Sequence, residues 1–154
     1  MSYNTNKLNS KFDEIKNLRY YPWIGNNYFN QKNMRIAFVA ESHYYGGTDM
    51  KTLQHNKVLW ENDKNTTIEV VEEESIIREY YGTKMFPNLH RTIIGNDEFD
   101  TIKLWSNLVF FNVVQRPMNY EIKERPQWKD FCDGWEVFIE LNKILKPDIC
   151  VIVG

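Results

Sequence analysis

Met34-Arg35-Ile36-Ala37-Phe38-Val39-Ala40 is a short apolar run rich in β-formers, bounded by polar residues and too short for a helix, so it reads as a buried central strand. Glu41-Ser42-His43-Tyr44-Tyr45-Gly46-Gly47 then breaks the pattern with small, polar and glycine residues, as a loop at the carboxyl end of a strand does. Open α/β sheets bind their ligands at that end of their strands.

Working outward, Leu108 to Val114 is a second continuous apolar strand with one polar intruder, Asn112, and Asp148 to Val153 is a third. Between them, Trp128, Phe131, Cys132, Trp135, Phe138, Ile139 and Leu145 recur at steps of three and four, an amphipathic helix stopping at Lys146 before Pro147. From Thr66 to Tyr81 a helical stripe of Ile68, Val71, Ile77, Tyr80 and Tyr81 is predicted, with Glu69, Glu72, Glu73 and Glu74 forming a solvated face. A short helix is expected over Asn88 to Ile94, ended by Gly95. Residues 1–33 read as a short helix around Phe12, Ile15 and Leu18, followed by a Tyr/Pro/Trp-rich approach segment.

Strands that are solid apolar runs rather than alternations, separated by helices, argue for an α/β domain over 34–154. Its expected form has three layers, a central mostly parallel sheet flanked by helices. A last strand left uncovered would offer an open edge to a protein partner or a second copy.

The 154 residues fit one domain with one core, being 42% apolar and 26% charged. With 19 Lys plus Arg against 21 Asp plus Glu, the net charge of -2 gives no global pull towards nucleic acid, so a polyanion would have to meet a local basic patch. Aromatics reach 15%, more ring surface than a core usually needs. Cys132 and Cys150 have no paired spacing and read as free thiols in a reducing cytoplasm. No apolar stretch approaches the roughly 20 residues of a membrane span, so a cytoplasmic protein is expected. His43, His55 and His90 form no zinc spacing, and neither a Walker loop nor a dinucleotide glycine fingerprint occurs, so no metal and no cofactor are expected.

Three groups of residues could carry chemistry. Glu41, Ser42 and His43 could activate a water or act as nucleophile and base; on spacing alone the simpler reading is that Ser42 caps a helix or turn and His43 makes one local hydrogen bond. Asn112 inside an apolar strand must find partners, which it does either by tying down a neighbouring loop or by reading a nucleobase edge. The Pro-stiffened segment holding Arg116, Lys123 and Arg125, with Lys129 beyond, could grip phosphates, or it is a solvated loop. Tyr44, Tyr45 and Phe86 could stack on a planar ligand or belong to the core.

Taken in order, these pieces resemble the uracil-DNA glycosylase superfamily. Phe38-Val39-Ala40-Glu41-Ser42-His43-Tyr44-Tyr45-Gly46 is similar to its first motif, an apolar strand running into Gly-Glu-Ala-Pro-Gly or Gly-Gln-Asp-Pro-Tyr-His. Phe110-Phe111-Asn112-Val113-Val114-Gln115-Arg116-Pro117 resembles its central strand, where an Asn is followed by Arg-Pro. The passage from Ile144-Leu145-Lys146-Pro147-Asp148 to Val153-Gly154 is similar to its "Leu-Lys-Pro, apolar run, Leu-Gly" ending. The resemblance spans residues 34 to 154. Ala40 stands where the family has its first Gly, His43 where Pro is expected, and Ser42 in the place of the Asp.

The resemblance implies a base-excision DNA-repair hydrolase that cleaves an N-glycosidic bond of a damaged or deaminated base, with single- or double-stranded DNA or a free nucleobase as ligand. In it, Glu41 would orient or activate the water attacking C1′, and Asn112 would bond the base edge. Backbone groups of Ser42 and His43, with Tyr44, would line the base pocket, and Phe86 would stack. The superfamily's second catalytic motif, a His-Pro-Ser-like loop, follows the Leu-Gly strand. The expectation is therefore a C-terminally shortened form, as an enzyme lacking that loop or as a non-catalytic nucleobase- or protein-binding module. A different hydrolase built on Glu41, Ser42 and His43 is a third reading.

Overall fold

The computed structural model describes residues 3–30, 32, 34–98 and 100–153. The chain is mixed α/β, built round a four-stranded sheet. The approach segment supplies a strand that its polarity conceals, β1 (Trp23–Ile24). At the centre of the sheet, β2 (Ile36–Ala40) pairs in parallel with β4 (Leu108–Asn112), Ala40 opposite Asn112. On its other side β2 pairs in parallel with β6 (Ile149–Ile152), while β1 runs antiparallel against β4, giving the order β1-β4-β2-β6. Tyr20 and Tyr28 of the approach segment are fully buried, so it belongs to the common core, behind the short α1 (Asn9–Phe12).

Side chains of β2 and β4 alternate between two apolar layers, as the pleat requires. Ala37, Val39, Val109 and Phe111 face α6 (Trp128–Leu145) through Val137, Phe138, Leu141 and Leu145. Phe38, Ala40, Leu108 and Phe110 face α3 (Thr66–Val71), α4 (Met85–Ile94) and α5 (Thr101–Trp105) through Val71, Phe86, Leu89 and Trp105. Helices thus cover both faces of the two central strands. The long helix begins at a capping box between Gln127 and Asp130 and ends at left-handed Lys146. α4 starts three residues earlier than expected and ends at Gly95, whose φ of 78° suits a residue without Cβ.

One expectation is corrected, and two further features come to light. The helix over Thr66 to Tyr81 is α-helical only to Val71, continues as a π-helical segment over Glu72–Ile77, and ends in a turn where Glu79 and Tyr80 have positive φ. That turn brings Tyr80 into the core, where its hydroxyl donates to His90 Nδ1 (2.6 Å) and accepts from Trp105 Nε1 (2.8 Å). The third strand is an edge strand with Ile149, Cys150 and Ile152 exposed, because among the described residues only β2 flanks it. Finally, α2 (Met50–Asn62) has no buried residue and so no apolar stripe to betray it; its one local signal is Asp49, which caps the Thr52 amide (2.8 Å). Gly154, the last residue of the expected Leu-Gly ending, and residues 1, 2, 31 and 33 of the approach segment lie outside the described residues. No helix among the described residues is long and apolar enough to cross a membrane.

Candidate functional site

Past Ala40 the chain keeps pairing with the segment that follows β4, and this brings two sequence motifs together. Val113 N–H donates to the Ala40 carbonyl, Val114 N–H to Glu41 and Met118 N–H to His43, at 2.8–2.9 Å. The ladder passes into a second small parallel sheet, β3 (Tyr44–Tyr45) with β5 (Met118–Asn119). Glu41 is therefore held by main-chain bonds at the carboxyl edge of the sheet, where α/β folds place their ligands.

The Glu41 carboxylate is anchored on one side. Its Oε1 accepts from the Tyr44 hydroxyl (3.1 Å) and from Ser42 Oγ (3.3 Å), with Arg125 Nη1 at 4.0 Å. Arg125 also donates to the Tyr44 hydroxyl (3.4 Å). Oε2 has no partner among the described residues, and about two thirds of the side chain is shielded from solvent. The group borders a cavity of about 690 Å³ that Tyr44, Tyr120, Lys123 and Arg125 line together with the carboxylates of Glu121 and Glu124. A carboxylate with one oxygen fixed and the other free is arranged to hold a water or hydroxyl group in one orientation.

His43 and Asn112 do meet, but they are sealed. Asn112 Nδ2 donates to His43 Nε2 (2.9 Å), and Thr67 Oγ1 lies 2.8 Å from the same nitrogen. The imidazole sits edge-on to Tyr20 and Trp60, and burial pushes it down to about 3, so it is neutral at physiological pH. As the acceptor of that bond, Nε2 leaves the ring proton on Nδ1. Asn112 Oδ1 is buried with no partner among the described residues, while its main-chain carbonyl accepts from Gln115 Nε2 (2.7 Å). Gln115 Oε1 in turn accepts from the amides of Arg19 and Tyr20, which ties the N-terminal segment to the end of β4.

The remaining expected residues separate. Lys123 and Arg125 stand at the rim of the large cavity. Arg116 does not: its guanidinium grips both oxygens of Asp130 (2.8 Å each) and Glu124 Oε1 (2.7 Å). Those bonds raise its pKa and hold both acids below their usual range, making the trio a clamp between the loop and α6. Phe86 is 2% exposed and packs on Trp105 and Phe110, 5.2 and 5.5 Å between ring centres, inside the core. No group of three or more His, Cys, Asp and Glu among the described residues could hold a metal ion.

No family model matches the chain, and no curated protein or solved structure matches it.

Sequence reasoning misses Thr67, buried on α3 behind His43, and Tyr120 in the cavity wall. It also misses a smaller cleft of about 370 Å³ on the other side of Glu41 and Tyr44, roofed by Met85, Asn88, Leu89 and Thr92 of α4. Only the polar Asn88 and Thr92, one helical turn apart on α4, could have pointed to it.

Proposed function

We propose that this chain is a uracil-DNA glycosylase-like hydrolase with the corresponding three-layer fold, acting on the N-glycosidic bond of a deaminated base in DNA. The observation that carries the reading is the Glu41 carboxylate, one oxygen anchored by Tyr44 and Ser42 and the other unpartnered among the described residues, beside a cavity at the carboxyl end of a parallel sheet. Water held at Oε2 attacks C1′; its proton passes to the carboxylate, the C1′–N bond breaks, and the base leaves with the bonding electrons. Extruding the nucleotide costs a few kcal/mol, which stacking and edge contacts offset. Lys123 and Arg125 are the groups available to a phosphate, since Arg116 is consumed by its acids.

A non-catalytic nucleobase- or protein-binding module on the same fold is the second reading, and the sealing of Asn112 favours it. Base release from single- and double-stranded oligonucleotides carrying uracil, hypoxanthine or xanthine, followed by alkaline cleavage, separates the two. Release that falls by about 10²-fold or more in Glu41→Gln supports the hydrolase. Binding of the same oligonucleotides without release by either protein supports the module.

A further inference from the structure

We infer that the loop of residues 119–128, between β5 and α6, is a docking surface for a protein segment that carries carboxylates beside apolar side chains. Three large apolar residues stand out from it: Tyr120 is 66% exposed, Ile122 72% and Trp128 82%. Exposed apolar groups gathered in one place mark interaction sites on soluble proteins. Tyr120 shares a cavity wall with Arg125, and the chain from Arg125 to Trp128 reaches at most about 11 Å, so the three belong to one short stretch of surface. The inference requires no base release and gives the protein-binding alternative a definite partner.

The loop inverts the arrangement of a solvated one, with polar groups turned inward and apolar ones outward. Asn119 Oδ1 accepts from the Glu121 amide (2.9 Å), Glu124 Oε2 accepts from the Asn119 amide (2.9 Å), and the Glu124 amide donates back to the Asn119 carbonyl (3.0 Å). Arg116 joins Glu124 to Asp130, and the Gln127 amide donates to Asp130 Oδ2 (2.7 Å). These bonds hold the turn before any partner arrives, so docking costs little ordering. Trp, Tyr and Arg dominate the binding energy of protein interfaces, and the loop presents Trp128, Tyr120 and Arg125.

The charges choose the partner. Glu124 and Asp130 are engaged by Arg116 and Asp133 by Lys129, while Glu121 accepts from the Gly47 amide (3.4 Å). Lys123 has no ion pair among the described residues, and the Arg125 side chain is 79% exposed with only the 4.0 Å contact to Glu41. The outward face is therefore apolar and cationic, the complement of an acidic amphipathic segment. A nucleic-acid strand fits it less well. Two cations can hold a phosphate beside Glu41, but a strand laid along the loop needs a cation at each phosphate and a ring for each base, and Ile122 offers neither. The cavity of about 690 Å³ next to Tyr120 has room for an anchoring side chain.

The test is calorimetry and amide-resolved NMR of the whole chain with a synthetic peptide of about twelve residues in which Glu alternates with Leu and Phe. Control peptides carry Lys in place of Glu, or Ser in place of Leu and Phe. Binding in the micromolar range is expected for the first peptide alone, moving the Trp128 indole N–H and the amides of residues 119–128. Trp128→Ala, Ile122→Ser and Arg125→Glu should each weaken it at least about tenfold. All three side chains are exposed, so the variants keep the fold, which their spectra report directly. No binding, equal binding of either control peptide, equal binding by the Trp128 and Ile122 variants, or shifts confined to residues outside 119–128 would overturn the assignment. Tighter binding of oligo(dT) than of the peptide, lost in the same variants, would overturn it in favour of a nucleic-acid strand. Base release separates this failure from that of the hydrolase reading. Release dependent on Glu41 with no peptide bound removes the docking surface and keeps the hydrolase. Peptide bound with no release from any oligonucleotide keeps the docking surface and removes the hydrolase.

Discussion

Asn112 and His43, 69 residues apart in the chain, meet through a 2.9 Å hydrogen bond at the point where β2 and β4 end side by side, and both are almost wholly buried. The bond exists because the parallel register sets Ala40 opposite Asn112 and the ladder continues beyond both. Its members differ in what they cost. The neutral imidazole has two polar neighbours at Nε2, whereas the amide keeps an oxygen with no partner among the described residues.

Protonation of His43 is therefore a destabilising event. Its folded pKa, about 3, lies below the ordinary 6.5, so above pH 6.5 the ring is neutral in both states and costs nothing. As pH falls below 6.5 the unfolded chain binds the proton first, and stability drops by about 1.4 kcal/mol per pH unit down to the folded value. His90, also lowered by burial, adds a loss of the same sign. Urea unfolding at pH 7, 6 and 5 should show this slope, and His43→Gln should flatten it by close to one proton's worth. An unchanged slope would show that the ring is hydrated.

Asn112→Leu should be nearly neutral for stability, within about 1 kcal/mol, because the substitution removes an orphaned buried oxygen together with one hydrogen bond. His43 keeps Thr67 as partner. Denaturant midpoints decide the matter: a loss above about 2 kcal/mol would mean that the amide is a structural tie.

Arg116→Lys retains the charge but loses the fork that spans Asp130 and Glu124. A loss of about 1–2 kcal/mol is expected. Because all three side chains are at least two-thirds buried, raising the salt to about 0.5 M should recover little of it. Ala at Lys123 or Arg125 should leave stability unchanged while lowering the salt dependence of oligonucleotide binding, if these residues meet phosphates. Thermal melts and binding isotherms at two salt concentrations separate the two kinds of cation.

Gly134, in the middle of α6, is required by close approach. A Cβ there would lie 1.9 Å from the Val113 carbonyl oxygen, main chain against main chain. Although Ala is the better helix former by about 1 kcal/mol, Gly134→Ala should destabilise by about 2–3 kcal/mol, since the helix must lift from the end of β4. A melt at or above the wild-type temperature would contradict the packing.

The central strands, the long helix with its stop before Pro147, and the Gly95 terminus are all legible from local pattern, because each buries a continuous run or a stripe. Glu41 at the end of a strand, and Asn112 as an anomaly in another, are visible for the same reason. The rest depends on which elements meet in space. The polar α2 carries no stripe, the two-residue β1 carries no period, and the π-helical turn answers to the hydroxyl of Tyr80 finding His90 and Trp105. That Asn112 turns inward to His43, that Arg116 closes on Asp130, that Phe86 sinks into the core and that Asn88 roofs a cleft beside Glu41 are decided by partners up to 69 residues away in the chain. Residue type determines what a side chain could do; burial and the identity of its neighbours, set by long-range strand register and helix packing, decide which of those uses is left open.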